Sequence, residues 1–193
     1  VHSLPCSAGY RIRGGIGSFG YGEYMKNIVL IGLSGCGKTT SGVILGQILN
    51  RKYIDCDEYA ESKYSMSVRE MFLVSEKFFR DKETACAEEI GKMQGLIVAT
   101  GGGVILREEN MKYLRENGVT IFIDRPPRHI AADIDIQNRP LLKDGPGKIY
   151  ELSRRRRHLY LKYRDYVVEN TADVNTLISK ILKIIKSLQE EEQ

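Results

Sequence analysis

The sequence predicts an α/β fold, in which a parallel β-sheet carries helices on both of its faces. Two observations support this prediction. From Met25 onward, short β-branched runs alternate with segments of helical periodicity, and this alternation is typical of parallel strands joined by crossover helices. The first such run, Ile28–Ile31, is apolar at every position, as expected for a strand that is buried on both faces.

The other elements are predicted from the same patterns. Apolar residues at helical spacing indicate a helix over Thr39–Asn50. Later strands are expected at Tyr53–Ile54, Leu96–Ala99 and Thr120–Ile123. Further helices are expected, in chain order, around Ser67–Phe72, Glu83–Met93, Asn110–Asn117, Gly147–Tyr163 and Thr176–Leu188. The last of these carries an apolar stripe that predicts packing against the core.

Length and composition indicate one globular domain. The chain has 193 residues, of which 42% are hydrophobic and 28% charged, and a net charge of +4 that is spread along the chain. No apolar run approaches the ~20 residues of a membrane span, and the first residues lack the basic-then-apolar order of a secretory signal. The four cysteines form no CxxC pair and predict free thiols. We therefore expect a cytoplasmic protein with no membrane partner.

The first part of the chain differs from the rest. Residues 1–24 are rich in glycine and have no apolar period, which predicts a disordered leader or a cloning extension. The folded domain is then expected to span residues 25–193, beginning at Met25. A glycine-rich arm that binds RNA is the alternative, although this stretch contains only two arginines.

The strongest functional motif is Gly32-Leu-Ser-Gly-Cys-Gly-Lys38-Thr39, which satisfies G-x-x-x-x-G-K-[ST] between a predicted strand and a predicted helix. Such a loop directs backbone N–H groups at the β-phosphate of ATP. Lys38 would neutralise the β- and γ-phosphates, and the Thr39 hydroxyl would bind Mg²⁺. The alternative is a glycine-rich turn without a ligand. The residues predicted to bind ATP here are Gly35, Cys36, Gly37, Lys38, Thr39 and Thr40.

A pair of carboxylates follows the second strand. Asp55 and Asp57 are separated by one residue, so both side chains can face the same way on extended chain. Ligands of parallel sheets bind at the carboxyl ends of the strands. We expect one carboxylate to hold Mg²⁺ and the other to accept a hydrogen bond from the hydroxyl of the phosphate acceptor. The alternative is an Asx turn or a helix N-cap.

Three consecutive glycines follow the strand Leu96–Ala99. Gly101, Gly102 and Gly103 have no side chains to cover their backbone N–H groups. A flexible turn is the simpler interpretation. The position at the carboxyl end of a strand favours a loop that faces the substrate.

Arginines complete the candidate site. Arg80 lies among aromatic residues, Arg139 precedes Pro140, and a run of four arginines occupies 154–157. Apolar positions on the predicted helix Gly147–Tyr163 leave Arg156 nearest the buried face. A planar guanidinium can grip a carboxylate or a phosphate through two hydrogen bonds. For the run itself, the alternatives are a solvated helix face or a nonspecific nucleic-acid patch.

Taken in order, these motifs resemble the shikimate kinase family. The matching segments are GLSGCGKTT, IDCD, FFRDKE, VATGGGV, RPLL and RRRRHLY. The resemblance runs from about Met25 to the C-terminus. It implies a P-loop NTPase fold of the nucleoside-monophosphate-kinase type, with a five-stranded parallel sheet and a mobile lid.

The resemblance also implies an activity and roles for residues. The activity would be the ATP-dependent phosphorylation of the 3-hydroxyl of shikimate, with Mg²⁺, by a monomer. Arg80 and Arg156 would hold the substrate carboxylate, and Arg156 is chosen because the family's arginine lies four residues before a tyrosine, here Tyr160. Asp57 and Gly101–Gly103 would contact the acceptor, and Thr39 and Asp55 would bind the metal. The catalytic residues would be Asp57, Lys38 and Arg139. Arg139 would lie on the lid and would also bind ATP.

Three departures from the family pattern are visible, the third being Arg164, which stands four residues after Tyr160 where the family usually has a small residue. Ser75 stands where the family usually has glycine. The segment HIAADIDIQN, which precedes RPLL, lacks an additional arginine that many members carry. The second departure leaves open how the lid contacts the nucleotide.

Other functions remain possible at this point. A P-loop kinase with another acidic acceptor, such as a gluconate kinase, fits the loop and the arginines. A nucleotide-binding regulator without phosphotransfer would not need Lys38, Thr39, Asp55, Asp57 and Arg139 together. A nucleic-acid-binding protein would not need the phosphate loop, so we expect no nucleic-acid partner.

Overall fold

The computed structural model describes residues 26–133 and 147–191. Within them, five strands form one sheet in the order β2-β3-β1-β4-β5. Every neighbouring pair is parallel. The predicted α/β class and the five-stranded parallel sheet are therefore confirmed. The strands are β1 (Asn27–Ile31), β2 (Tyr53–Asp55), β3 (Ile97–Ala99), β4 (Gly118–Asp124) and β5 (Tyr166–Glu169).

The described helices follow most of the predicted segments. Helix α7 begins and ends as expected. Two short helices, α2 and α6, and the strand β5 were not predicted as elements. In chain order the helices are α1 (Lys38–Leu49), α2 (Cys56–Tyr64), α3 (Val68–Val74), α4 (Glu76–Gly91), α5 (Glu108–Glu116), α6 (Pro127–Asp133), α7 (Gly147–Tyr163) and α8 (Val174–Glu191).

Local caps explain where two of the helices begin. The Ser75 hydroxyl accepts a hydrogen bond from the Phe78 N–H, so α4 begins well before the predicted Glu83. Helix α3 begins with a capping box, in which the side chains of Ser67 and Glu70 bond each other's backbone N–H. These caps fix the first turns of α3 and α4.

The core lies between the sheet and its helices. All five residues of β1 and all three of β3 are buried, as expected for central parallel strands. The apolar stripe of α8 is buried at Leu177, Ile178, Ile181 and Ile185. A separate small cluster beneath α2, α3 and α4 contains Ala60, Met71, Phe79 and Cys86.

Some sequence predictions lie outside the described residues. These are the leader 1–24 and the lid segment with RPLL and Arg139, so the division into a leader and a domain stays a prediction. In the part of the chain that the structure describes, no helix is both long enough and apolar enough to cross a membrane.

The topology brings five chain segments to the end of the sheet at which the carboxyl ends of the strands lie. Strand β1 lies between β3 and β4, and the chain crosses to either side of it. This arrangement opens a crevice at the carboxyl ends of the strands. The segments that enter it directly after β1 to β5 contain, respectively, the loop from Gly32, Asp57, Gly101–Gly103, Arg125 and Asn170.

Candidate active site

The loop after β1 has the conformation of an anion-binding site. Gly35 and Gly37 have φ angles of 82° and 106°, which residues with a side chain rarely adopt. Helix α1 begins directly afterwards, at Lys38, without a side-chain cap on its first N–H groups. Uncapped N–H groups and the helix dipole together attract a phosphate.

Lys38 lies inside this loop. Its side chain is buried, and Nζ donates hydrogen bonds to the carbonyl oxygens of Gly32 and Leu33, each at 2.8 Å. The Cys36 thiol is buried 3.7 Å from Nζ. Of the predicted ATP-binding residues, Cys36 can therefore offer the nucleotide only its backbone.

Thr39 and Asp55 meet beside the loop. Thr39 Oγ1 donates to Asp55 Oδ2 at 3.1 Å, and the Tyr53 hydroxyl donates to the same oxygen at 3.2 Å. Asp55 Oδ1 accepts the Asp57 N–H at 2.9 Å and caps α2. Asp55 is thus an N-cap whose second oxygen faces Thr39. A carboxylate and a hydroxyl fit Mg²⁺, which takes one or two protein oxygens and completes its shell with water and phosphate oxygens.

Asp57 lies deeper, among several charges. Burial is the main cause that raises the pKa of Asp57 to about 7, and the carboxylates of Asp55 and Glu83 raise it further. The cations Lys38 and Arg80 act in the opposite direction. A carboxyl that titrates near neutral pH can accept a proton from a substrate hydroxyl.

Aromatic rings and a carboxylate surround the side chain of Arg80. It is 5% exposed, and its guanidinium lies 5.1 Å from the Phe79 ring centre and 5.8 Å from that of Phe72. Nη1 donates to Glu83 Oε2 at 2.7 Å. Among the described residues, Arg80 Nε and Glu83 Oε1 are buried without a hydrogen-bond partner. Buried polar atoms without partners are rare, and these two belong to the Arg80–Glu83 ion pair in the wall of the cleft.

The backbone of the triple glycine packs closely against the side chains of Asp57, Arg80 and Ser34. A Cβ atom on Gly101 would lie 2.8 Å from Asp57 Oδ1, and one on Gly103 would lie 2.4 Å from Arg80 Nη2. A Cβ atom on Gly102 would lie 2.9 Å from Ser34 Oγ. A side chain at any of these positions would displace a neighbouring group of the site, because Asp57, Ser34 and Arg80 approach the backbone closely.

Helix α7 contributes one arginine to the crevice. Arg156 is 8% exposed, and its Nη1 donates to the Gly102 carbonyl at 3.0 Å. The Tyr160 hydroxyl donates to the same oxygen at 2.5 Å. Arg155 and Arg157 are exposed and pair with Glu151 and Asp124. The expected inward position of Arg156 therefore agrees with the structure.

These groups line one cleft of about 850 Å³. The structure brings together most of the residues predicted for the site. Cys36 lies behind the loop, and Arg139 is outside the described residues. The predicted residues that line the cleft are Gly35, Gly37, Lys38, Thr39, Thr40, Asp55, Asp57, Arg80, Gly101, Gly102, Gly103 and Arg156.

Among the residues of this region that sequence reasoning missed, three make hydrogen bonds that hold parts of the site in place. Glu83 lines the cleft beside Arg80, and Arg125 lines it at the loop. Asn170 donates a hydrogen bond to the Cys36 carbonyl at 2.9 Å. Glu83 lies three residues after Arg80 on a helix, a spacing that favours an ion pair. No motif marks Arg125 or Asn170, although Arg125 directly follows β4 and Asn170 directly follows β5.

Comparisons with known proteins agree with this geometry. The sequence profile of the family described as shikimate kinase matches residues 34–186. A shikimate kinase of Clostridium botulinum (strain Alaska E43 / Type E3) is 43% identical over 162 residues, which are 83% of this chain and 98% of the relative. The chain belongs to the shikimate kinase family. The shikimate kinase of Clostridium beijerinckii is 39% identical over 162 residues, again 83% of this chain and 96% of the relative.

Solved structures extend the comparison. The shikimate kinase of Acinetobacter baumannii in complex with shikimate superposes with a TM-score of 0.81 and 32% identity, covering 86% of this chain and 95% of that one. A gluconokinase of Sinorhizobium meliloti has a TM-score of 0.55 and 13% identity over 86% of this chain and 94% of its own. The second likeness concerns the fold alone. The chain is therefore a phosphotransferase of the shikimate kinase family.

Proposed function

We propose that the chain transfers the γ-phosphoryl group of ATP to the 3-hydroxyl of shikimate, which gives shikimate 3-phosphate and ADP. One observation carries the proposal. A single cleft contains a phosphate loop at one end and, at the other, Asp57 with the buried cations Arg80 and Arg156. Two buried guanidinium groups are suited to a small carboxylate substrate. The relative from A. baumannii, which binds shikimate, supports this choice of acceptor.

On the acceptor side, Arg80 and Arg156 bind the carboxylate of shikimate. Glu83 holds the Arg80 guanidinium at 2.7 Å, and the Gly102 carbonyl holds that of Arg156 at 3.0 Å. Both cations are therefore oriented before the substrate enters, which lowers the entropic cost of binding. The backbone N–H groups of Gly101–Gly103 contact the ring hydroxyls.

On the nucleotide side, the N–H groups of Gly35–Gly37 and of Thr40 bind the phosphates. Lys38 leaves the loop carbonyls and binds the β- and γ-phosphates, where it stabilises the charge that develops in transfer. Thr39 and Asp55 hold Mg²⁺, which when bound neutralises phosphate charge. Arg139 is proposed to bind ATP and the transferring group from the lid segment.

Asp57 orients the 3-hydroxyl and takes its proton. The oxygen of this hydroxyl forms a bond to the γ-phosphorus while the bond from that phosphorus to the β–γ bridging oxygen breaks. The hydroxyl proton passes to the Asp57 carboxylate, and ADP leaves. A pKa of about 7 allows Asp57 to be ionised in a large share of molecules at neutral pH and still to hold the proton afterwards.

We also propose that the protein acts as a cytoplasmic monomer, without nucleic acid or membrane. The described part of one chain supplies a cleft that contains both the phosphate loop and the cations Arg80 and Arg156. Both proposed substrates are water-soluble anions, and ATP is a cytoplasmic metabolite. Size-exclusion chromatography with light scattering tests the monomer, and a dimer peak at assay concentrations would contradict it.

The acceptor is tested by measuring ADP release with a panel of acids. With ATP and Mg²⁺, we expect shikimate to raise ADP release by at least about 100-fold over the rate without acceptor. Gluconate and quinate serve as matched controls, because each offers a carboxylate and several hydroxyls. Turnover of gluconate at a comparable kcat/KM would instead favour a gluconate-kinase-like activity.

A further inference from the structure

Two side chains from later parts of the chain bind backbone carbonyl groups of the phosphate loop. Asn170 follows β5 and donates from Nδ2 to the Cys36 carbonyl at 2.9 Å. Arg125 follows β4 and donates from Nη1 to the Gly35 carbonyl at 3.1 Å. Two consecutive carbonyl groups of the loop are thus each bonded to a residue at the end of a different strand. We call Arg125 and Asn170 the outer clamp.

The outer clamp determines which way the neighbouring N–H groups point. In a trans peptide the carbonyl of one residue and the N–H of the next point in opposite directions, and the described chain contains no cis peptide. Because Asn170 binds the Cys36 carbonyl, the Gly37 N–H points away from Asn170, and Gly37 lines the cleft. N–H groups that converge in this way form a concave site for anions.

Both clamp residues are fixed by groups outside the phosphate loop. The Asn170 N–H donates to the carbonyl of Asp124, the last residue of β4, at 3.0 Å. Its side-chain nitrogen would lie 3.1 Å from a Cβ on Gly37, so the amide packs directly against the loop. The second terminal nitrogen of Arg125, Nη2, pairs with Asp133 at the end of α6. The loop is therefore tied to β4, β5 and α6.

We propose that Arg125 and Asn170 are positioning residues, which hold the loop in the conformation that binds the β-phosphate. Without the bond from Asn170, the Cys36 carbonyl is free to turn toward the cleft. Without the bond from Arg125, the Gly35–Cys36 peptide is held only by the hydrogen bond from the Cys36 N–H to the Leu33 carbonyl at 3.1 Å. A carbonyl oxygen facing the cleft repels a phosphate oxygen and removes an N–H donor at the same time. The inference rests on the proposed function, since it concerns the nucleotide of that reaction.

The test compares ligands with and without a β-phosphate. In Asn170→Asp a carboxylate oxygen replaces the donor, and in Arg125→Ala the donor is lost. We expect each variant to raise the Kd of ADP by about tenfold, which is the order of effect of one lost hydrogen bond. The Kd of AMP and of shikimate, measured by titration calorimetry, should change less than about twofold. Arg125→Lys, which keeps a donor, should recover part of the affinity for ADP.

Matched controls lie close by. Asn175→Asp introduces the same charge at an exposed position of α8, and Arg128→Ala removes an exposed arginine of α6. Neither residue lines the cleft in the described structure, so ADP binding should stay unchanged. If Asn170→Asp fails to fold, Asn170→Ser is measured in its place.

The outcomes separate this inference from the proposed function. If the wild-type protein binds ADP and phosphorylates shikimate while the folded variants bind ADP equally well, only the positioning role is wrong. An equal loss of affinity for ADP, AMP and shikimate would also overturn it, because that result indicates general destabilisation. If the wild-type protein binds no ADP, both the positioning role and the proposed function fail.

Discussion

At the scale of single residues, the arginine run of α7 contains one buried cation among exposed ones. Arg156 points into the cleft, whereas Arg155 pairs with Glu151 at the surface. The spacing of apolar residues on the helix was sufficient to predict this difference, because side chains four apart share a face. Hydrogen bonds between distant segments, such as that from Asn170 to the Cys36 carbonyl, leave no pattern in the sequence and could not be predicted.

The two neighbouring arginines provide a matched test. Arg156→Lys keeps the charge but loses the planar pair of donors, so we expect the KM for shikimate to rise about tenfold with little change in the KM for ATP. Arg155→Lys should leave both values unchanged. Steady-state kinetics with shikimate varied at saturating ATP and Mg²⁺ measure the effect. Sensitivity at Arg155 and none at Arg156 would contradict the assignment.

Asp57 links activity to stability. Its pKa is about 7 in the folded protein and about 4 in an unfolded chain, so the folded protein binds this proton more tightly. The stabilisation is complete below pH 4 and is lost as the pH rises through 7. Asp57→Asn should therefore stabilise the protein relative to wild type increasingly from pH 5 to pH 8, by on the order of 2 kcal/mol. The same variant should lower kcat about 100-fold or more.

Urea denaturation at several pH values measures the stability difference. Glu109→Gln, at an exposed carboxylate of α5, serves as the control and should show no such trend. A stability difference between Asp57→Asn and wild type that is independent of pH would show that Asp57 does not hold a raised pKa. A kcat close to that of wild type would exclude it as the base.

At the scale of elements, each strand is followed directly, at its carboxyl end, by a segment that carries residues of the site. The loops after β1, β2 and β3 carry recognisable motifs, so the sequence predicted them. Strand β5 and helix α6 were missed. Strand β5 has four residues with one buried side chain, and α6 has seven residues and begins at the second of two consecutive prolines, so neither shows a strong apolar period.

The triple glycine can be tested by adding one methyl group. Gly103 has φ −111°, which alanine tolerates, but its Cβ would lie 2.4 Å from Arg80 Nη2. Gly103→Ala should therefore displace the guanidinium and raise the KM for shikimate about tenfold, with a loss of about 1–3 kcal/mol in stability. The control is Gly147→Ala, whose Cβ meets no atom of residues 26–133 or 147–191 within 4 Å. An unchanged KM in Gly103→Ala would exclude a role of Arg80 in binding shikimate.

At the scale of the whole molecule, the family profile and the cleft both lie within the predicted domain. The profile matches residues 34–186, and the lining of the cleft extends from Leu33 to Arg156. A protein that begins at Met25 should therefore have the kinetics and the thermal midpoint of the full chain. Calorimetry and steady-state assays on both proteins measure this. A lower midpoint or kcat/KM in the shorter protein would show that residues 1–24 contribute.

The central claim is that this cleft moves a phosphoryl group from ATP to one hydroxyl of shikimate. Phosphorus and proton NMR of a reaction with ATP, Mg²⁺ and shikimate tests it most directly. We predict one new phosphomonoester, coupled to the proton on carbon 3 of the ring and formed in equal amount to ADP. Lys38→Ala should slow its formation about 100-fold or more. Release of ADP with inorganic phosphate alone, or a phosphate on another hydroxyl, would contradict the account.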